Sequence, residues 1–133
     1  MIIADTSVWI DYFNGQDNLY TGRLDMELDR AEVAIGDIIL LEILQGFRND
    51  RDYKKAKREL GTLDQYEMFG HNMVDKCARN YRVLRKSGIT IRKTVDIIIA
   101  TFCIENKFPL LFSDKDFAPF VKNLGLVSTI SEI

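Results

Sequence analysis

Apolar residues along this chain come as short runs and as helical spacings, and the two alternate. Ile2-Ile3-Ala4 is a brief apolar run suited to a buried strand. Thr6 and Ser7 then offer caps for a helix carrying Val8, Trp9, Ile10 and Phe13, which Asn14-Gly15 ends. Thr21 to Arg30 reads as a helix, with Leu24 and Leu28 at i, i+4 spacing. Val33-Ala34-Ile35 suits the next strand, and Gly36-Asp37 turns the chain into a helix from Ile38 to about Phe47, with Asp37 as its cap. Arg51 to about Gln65 reads as a charged helix, Tyr66 to Gly70 as a strand, and His71 to Lys86 as a long amphipathic helix stopped by Ser87-Gly88. Thr94 to Asn106 reads as a helix, although Val95 and Ile97-Ile98-Ile99 would also suit a strand. Leu110-Leu111-Phe112 signals a strand, and Leu126-Val127 a last short one.

Strands alternating with helices argue for an α/β domain with a mostly parallel sheet, in which ligands bind where the strands' C-terminal ends meet the helices. A chain of 133 residues with 47% hydrophobic content fits one domain, 1–133, with a real core. The longest apolar run, Ile38 to Leu44, is interrupted by Glu42 and falls well short of the ~20 residues that span a bilayer. No signal-peptide pattern opens the chain. Cys77 and Cys103 are far apart, lack metal-type spacing and read as reduced thiols. These features point to the cytoplasm and away from a membrane.

Charge sharpens the picture. The net charge of −2 conceals an acidic first third, with 9 acidic and 2 basic side chains in residues 1–47. A basic middle follows, with 13 basic and 6 acidic in residues 48–93. The segregation fits solvated helix faces. It also fits a polyanion-binding surface beside an acidic metal site.

A few acids sit among apolar neighbours. Asp5 directly follows the first strand, Glu42 lies inside an apolar helix, Asp96 precedes Ile97-Ile98-Ile99, and Asp114 and Asp116 follow the Leu110 strand. Taken singly, each has an ordinary reading: a helix cap, a solvent-reaching side chain, a first-turn acid favoured by the helix dipole, a surface turn. Taken together, buried carboxylates that converge repel one another, and a hard divalent cation such as Mg²⁺ or Mn²⁺ relieves both the burial and the repulsion. That chemistry serves phosphodiester hydrolysis.

These segments resemble the PIN-domain family. Met1-Ile2-Ile3-Ala4-Asp5-Thr6-Ser7 is similar to its opening, and Ile38 to Gly46 to its Glu-bearing helix. Thr94 to Ala100 and Leu110 to Phe117 are similar to its third and fourth motifs. Their order and the chain length resemble the VapC-type toxins of that family. The resemblance implies a three-layer α/β/α sandwich with a central, mostly parallel sheet. It implies a Mg²⁺- or Mn²⁺-dependent endoribonuclease in which Asp5, Glu42, Asp96 and Asp114 are the catalytic, metal-holding acids. Asp116 is then a helper or a substitute for Asp114, and Thr6 a supporting hydroxyl. It further implies a homodimer blocked by a VapB-like antitoxin helix, for which a groove near Trp9 and Leu41–Leu44 would serve.

Arg48, Arg51, Arg92 and Lys93 are candidates for holding the RNA backbone. Trp9, Tyr12 and Phe13 suit core packing or a dimer contact, and His71 matches no motif. A haloacid-dehalogenase-type phosphatase would want an acid where Ser7 stands, and a phosphorylated receiver module would want an acid pair where Asp5 stands alone. A catalytically degenerate PIN domain that only binds RNA or protein is the remaining alternative.

Overall fold

The computed structural model describes residues 1–130. The chain runs β1 (Ile2–Ala4), α1 (Thr6–Phe13), α2 (Leu19–Asp29), β2 (Val33–Gly36), α3 (Asp37–Gln45), α4 (Asp50–Leu60), β3 (Asp64–Tyr66), α5 (His71–Lys86), α6 (Thr94–Asn106) and β4 (Leu110–Leu111). A single 3-10 turn, Lys115–Phe117, then leads into α7 (Ala118–Leu124).

The four strands form one all-parallel sheet in the order β3-β2-β1-β4, flanked by helices as an α/β/α sandwich. Ile3 pairs with Ala34 on one side and with Leu110 on the other. Strands β1, β2 and β4 are buried throughout, which is why they read as continuous apolar runs. The core gathers on them: Ile3, Ala34, Ile35, Leu110 and Leu111 are fully covered, as are Ile39, Leu84, Ile99, Phe117 and Phe120 from the helices and turns. Asn80 on α5 donates to the buried hydroxyl of Thr101 on α6 at 3.0 Å and fixes how those two helices meet.

Several boundaries differ from the sequence expectation. The charged helix stops at Leu60, because Gly61 caps it, and the following strand lies at Asp64–Tyr66 instead of Tyr66–Gly70. Asp64 and Gln65 in it are exposed and polar, and only Tyr66, whose ring packs on Phe102 and Phe108, carries an apolar signal, so backbone pairing with Ala34, Ile35 and Gly36 does most to create it. Helix α2 begins at Leu19 because Asn18 and Thr21 form a reciprocal capping box, which puts Thr21 inside the first turn. The cap of α3 is Gly36; Asp37 lies in the first turn, and its carboxylate accepts from the Met68 amide at 3.0 Å. Leu126-Val127 forms no strand: only an isolated bridge joins Leu110 to Ser128. The short helix α7 was not foreseen; Pro119 in its first turn favours it.

Candidate active site

The sheet order creates a switch point. From β1 the chain moves outward through β2 to β3, then returns to lay β4 on the opposite side of β1. In open parallel sheets, the crevice at the C-terminal ends of such neighbouring strands is where ligands bind. Asp5 is the first residue past β1, and its backbone N–H donates to the Leu111 carbonyl at 2.9 Å. The ends of β1 and β4 are thereby tied together, and Asp114 follows three residues after Leu111.

Each acid is held by a local device. Asp5 is buried and its Oδ2 accepts from the Ser7 hydroxyl at 2.9 Å. Glu42, half-buried on α3, accepts from the Thr6 hydroxyl at 2.6 Å. Asp114 caps the 3-10 turn, accepting from the Asp116 N–H at 2.9 Å. Asp96 is buried in the first turn of α6, and its Oδ2 has no hydrogen-bond partner.

The electrostatics tie these groups into one field. Burial raises the Asp5 carboxyl above its ordinary value, and the Glu42 charge adds to that. The Ser7 hydroxyl and the Thr6 and Ser7 amides pull the other way. Asp96 is pushed up to about 6, first by burial and then by the charge of Asp5, with Asp114 and Asp116 adding to it and Lys93 opposing. The closest group is Asp96, Asp114 and Asp116, whose nearest carboxylate oxygens all lie within 4.8 Å of one another. Asp5 and Glu42 stand outside that trio and couple to it in series, Glu42 to Asp5 and Asp5 to Asp96. Asp116 thus stands inside the closest group, alongside Asp114.

The donors fit a hard divalent cation. They are all carboxylate oxygens, they repel one another, and one of them is buried without a partner. Histidine and cysteine do not contribute: His71 is exposed at the start of α5, while Cys77 and Cys103 are free, buried thiols. Burial, with a further push from the Asp5 charge, raises the Cys103 thiol far above its ordinary value, which keeps it protonated.

Of the basic candidates, Arg92 places Nη2 at 3.6 Å from Asp116 Oδ1. Lys93 is the residue before α6 and acts on Asp96. Arg48 and Arg51 are exposed, at the α3–α4 connection and in the first turn of α4, and neither makes an ion pair among the described residues. The part played by Ser7 shows in the sequence only as the acid-x-hydroxyl spacing of Asp5 and Ser7. Trp9 is buried and packs on Phe13 and Tyr12, with ring centroids 6.0 and 6.1 Å away. Between α1 and α3, Ile10, Phe13, Ile43 and Phe47 line a cleft of about 150 Å³; of the expected groove near Trp9 and Leu41–Leu44, only Ile43 is part of it. A larger apolar cleft of about 450 Å³, lined by Tyr20, Phe112, Val121 and Val127 among others, contains none of the acids.

Fold and geometry define an α/β domain with an acidic centre at the switch point of a parallel sheet. The chain belongs to the PIN-domain family, whose model matches residues 2–122. Among curated proteins it is similar to VapC ribonuclease Mb1587 of Mycobacterium bovis, 28% identical over 119 residues, covering 88% of this chain and 89% of that protein. Ribonuclease VapC11 of Mycobacterium tuberculosis matches with the same identity and coverage. Among solved structures, VapBC2 from Rickettsia felis bound to a promoter DNA fragment superimposes with a TM-score of 0.76 at 18% identity, over 99% of this chain and all of that one. A toxin–antitoxin complex from Klebsiella pneumoniae gives 0.73 at 19% identity over the whole of both chains. These two show the same fold. No described helix is long and apolar enough to cross a membrane.

Proposed function

We propose that this chain is a Mg²⁺- or Mn²⁺-dependent endoribonuclease, the toxin of a VapBC-like pair restrained by a cognate VapB-like antitoxin. It would act in the cytoplasm as a homodimer, with residues 1–133 forming one PIN domain. The observation that carries the activity is the buried, unpartnered oxygen of Asp96 in the shared field of Asp5, Asp114 and Asp116. The names of the similar curated proteins support the ribonuclease reading, and the toxin–antitoxin complexes of like fold support the partner.

Asp5, Glu42, Asp96 and Asp114 would hold the ion, with Asp116 and Thr6 in support. A bound divalent cation supplies an acidified water and offsets the charge developing on the phosphate. The chain's own contribution is order. Ser7 fixes one oxygen of Asp5, Thr6 keeps the Glu42 carboxylate turned inward, and the Asp116 amide locks Asp114. These hydrogen bonds set the acids in place before RNA arrives, so little reorganisation remains for the reaction itself. Arg48, Arg51, Arg92 and Lys93 would hold the RNA backbone and set its register. An antitoxin helix would dock in the cleft between α1 and α3.

The test is cleavage of RNA by wild type, Asp5→Asn and Asp96→Asn, with Mg²⁺, with Mn²⁺ and with a chelator. Wild type should cut only with a divalent ion, and each variant should lose on the order of a hundredfold or more in rate. Cleavage that persists in the chelator, or in Asp96→Asn, overturns the reading. Growth arrest on expression, relieved by Asp96→Asn, tests the toxin role.

A further inference from the structure

Carboxylates gathered at one edge of a sheet repel the polyanion they are meant to cut, so the approach of RNA needs local positive charge. The segment between α5 and α6 supplies it. Ile91 is buried and anchors that segment, while Arg92 and Lys93 beside it are exposed. Lys93 acts on Asp96 through space, but Arg92 is the one cation among the described residues that forms an ion pair with the closest acidic trio, at 3.6 Å from Asp116. That separation is beyond a direct hydrogen bond, and the Arg92 side chain is 79% exposed, so the pair is loose, screened and easily exchanged. Asp116 also differs from its neighbours in situation. Asp96 has a buried oxygen with no partner, and Asp114 is taken up in capping the turn, but Asp116 turns an oxygen outward to a cation.

We propose that Arg92 is a phosphate-positioning residue, parked on Asp116 at the mouth of the acidic centre and transferred to the RNA backbone as substrate enters. The inference rests on the ribonuclease reading and deepens it. Asp116 is then the holder of Arg92, which explains a second acid two residues after Asp114. The guanidinium suits the task because its planar fork meets two phosphate oxygens at once, and exchanging a carboxylate for a phosphodiester keeps it paired throughout.

The test is binding of a labelled single-stranded RNA oligonucleotide in EDTA, read as affinity against salt for wild type, Arg92→Ala, Arg92→Lys, Asp116→Asn and Arg92→Ala/Asp116→Asn. Arg92→Ala should weaken binding about tenfold and reduce the slope of log affinity against log salt by about 0.7, the share of one phosphate contact on a single strand. Its melting temperature should not move, since the side chain is exposed. Arg92→Lys should restore the slope but only part of the affinity, because it keeps the charge and loses the fork. Asp116→Asn should tighten binding severalfold by releasing Arg92, and most of that gain should be lost in the double variant, where only the effect of one repelling carboxylate fewer remains. Unchanged affinity and slope in Arg92→Ala overturns the proposal, as does an Asp116→Asn gain equally large with and without Arg92. Wild type that cleaves RNA with a divalent ion but does not bind it in EDTA overturns this proposal alone. Wild type that cleaves with neither ion overturns the ribonuclease reading and this proposal with it.

Discussion

At the scale of the residue, Asp96 carries a sharp conflict: a carboxyl with a buried, unpartnered oxygen, surrounded by other acids. Because its pKa rises from 3.8 to about 6, the folded protein holds this proton more tightly than the unfolded chain does. The resulting stabilisation is fully present below the unfolded value and is lost as pH climbs through about 6. Asp5, also raised, acts with the same sign. In a chelator, the melting temperature of wild type should therefore fall as pH increases from about 4 to 6.5, and Asp96→Asn should flatten part of that fall and melt higher at neutral pH. Thermal denaturation across that range checks it; a wild-type melting temperature that rises with pH through this window would contradict the assignment. Adding Mg²⁺ or Mn²⁺ should raise the wild-type melting temperature more at pH 7 than at pH 5, because the ion needs the deprotonated acid. The places of Asp5, Glu42, Asp96 and Asp114 were legible in the sequence, since each stands where an apolar pattern is interrupted; that Asp116 lies in the closest group with Asp96 and Asp114 was not. Nor was the part of the Ser7 hydroxyl. A serine after an N-terminal strand is equally suited to capping a helix, and only the fold shows that it turns back to Asp5.

At the scale of the element, helix α3 is aimed by its junction with β2. Gly36 closes that strand, and a Cβ there would overlap the thioether of Met68, itself fully buried. The Met68 amide in turn donates to Asp37 in the first turn of α3. Gly36→Ala should cost about 1–3 kcal/mol by overpacking, and Met68→Ala in the same chain should recover part of that cost, a coupling measurable by chemical denaturation. Simple additivity of the two changes would refute the contact. Elements made by burial were readable in advance: β1, β2 and β4, and the helices α5 and α6, lie at or close to where the apolar pattern puts them. Elements made by backbone pairing or by a turn were misplaced, as β3 was by two residues, or gave no signal. Strand β3 has three exposed residues and exists through its ladder with β2, and α7 is too short to display a period.

At the scale of the whole molecule, the α1–α3 cleft is lined by the C-terminal ends of α1 and of the helix that carries Glu42, and by none of the acids. Ile10, 42% exposed on the rim, should matter to an antitoxin helix docking there: Ile10→Glu should weaken the complex with the cognate antitoxin at least about tenfold in a titration, and unchanged affinity would remove this cleft from consideration. The α/β class and the parallel sheet were readable from the alternation of elements, but the strand order was not, because nothing local in Ile2-Ile3-Ala4 states that it will lie between β2 and β4. That central position has a consequence in time. Asp5 and Leu110, where the strand that must lie against β1 begins, stand about a hundred residues apart along the chain. At ~5–20 residues per second, roughly 5–20 s of translation separate the two. Until β4 threads home, the nascent polypeptide holds Asp5 without Asp114 beside it, so the order of the strands delays assembly of the acidic centre until most of the domain has been made.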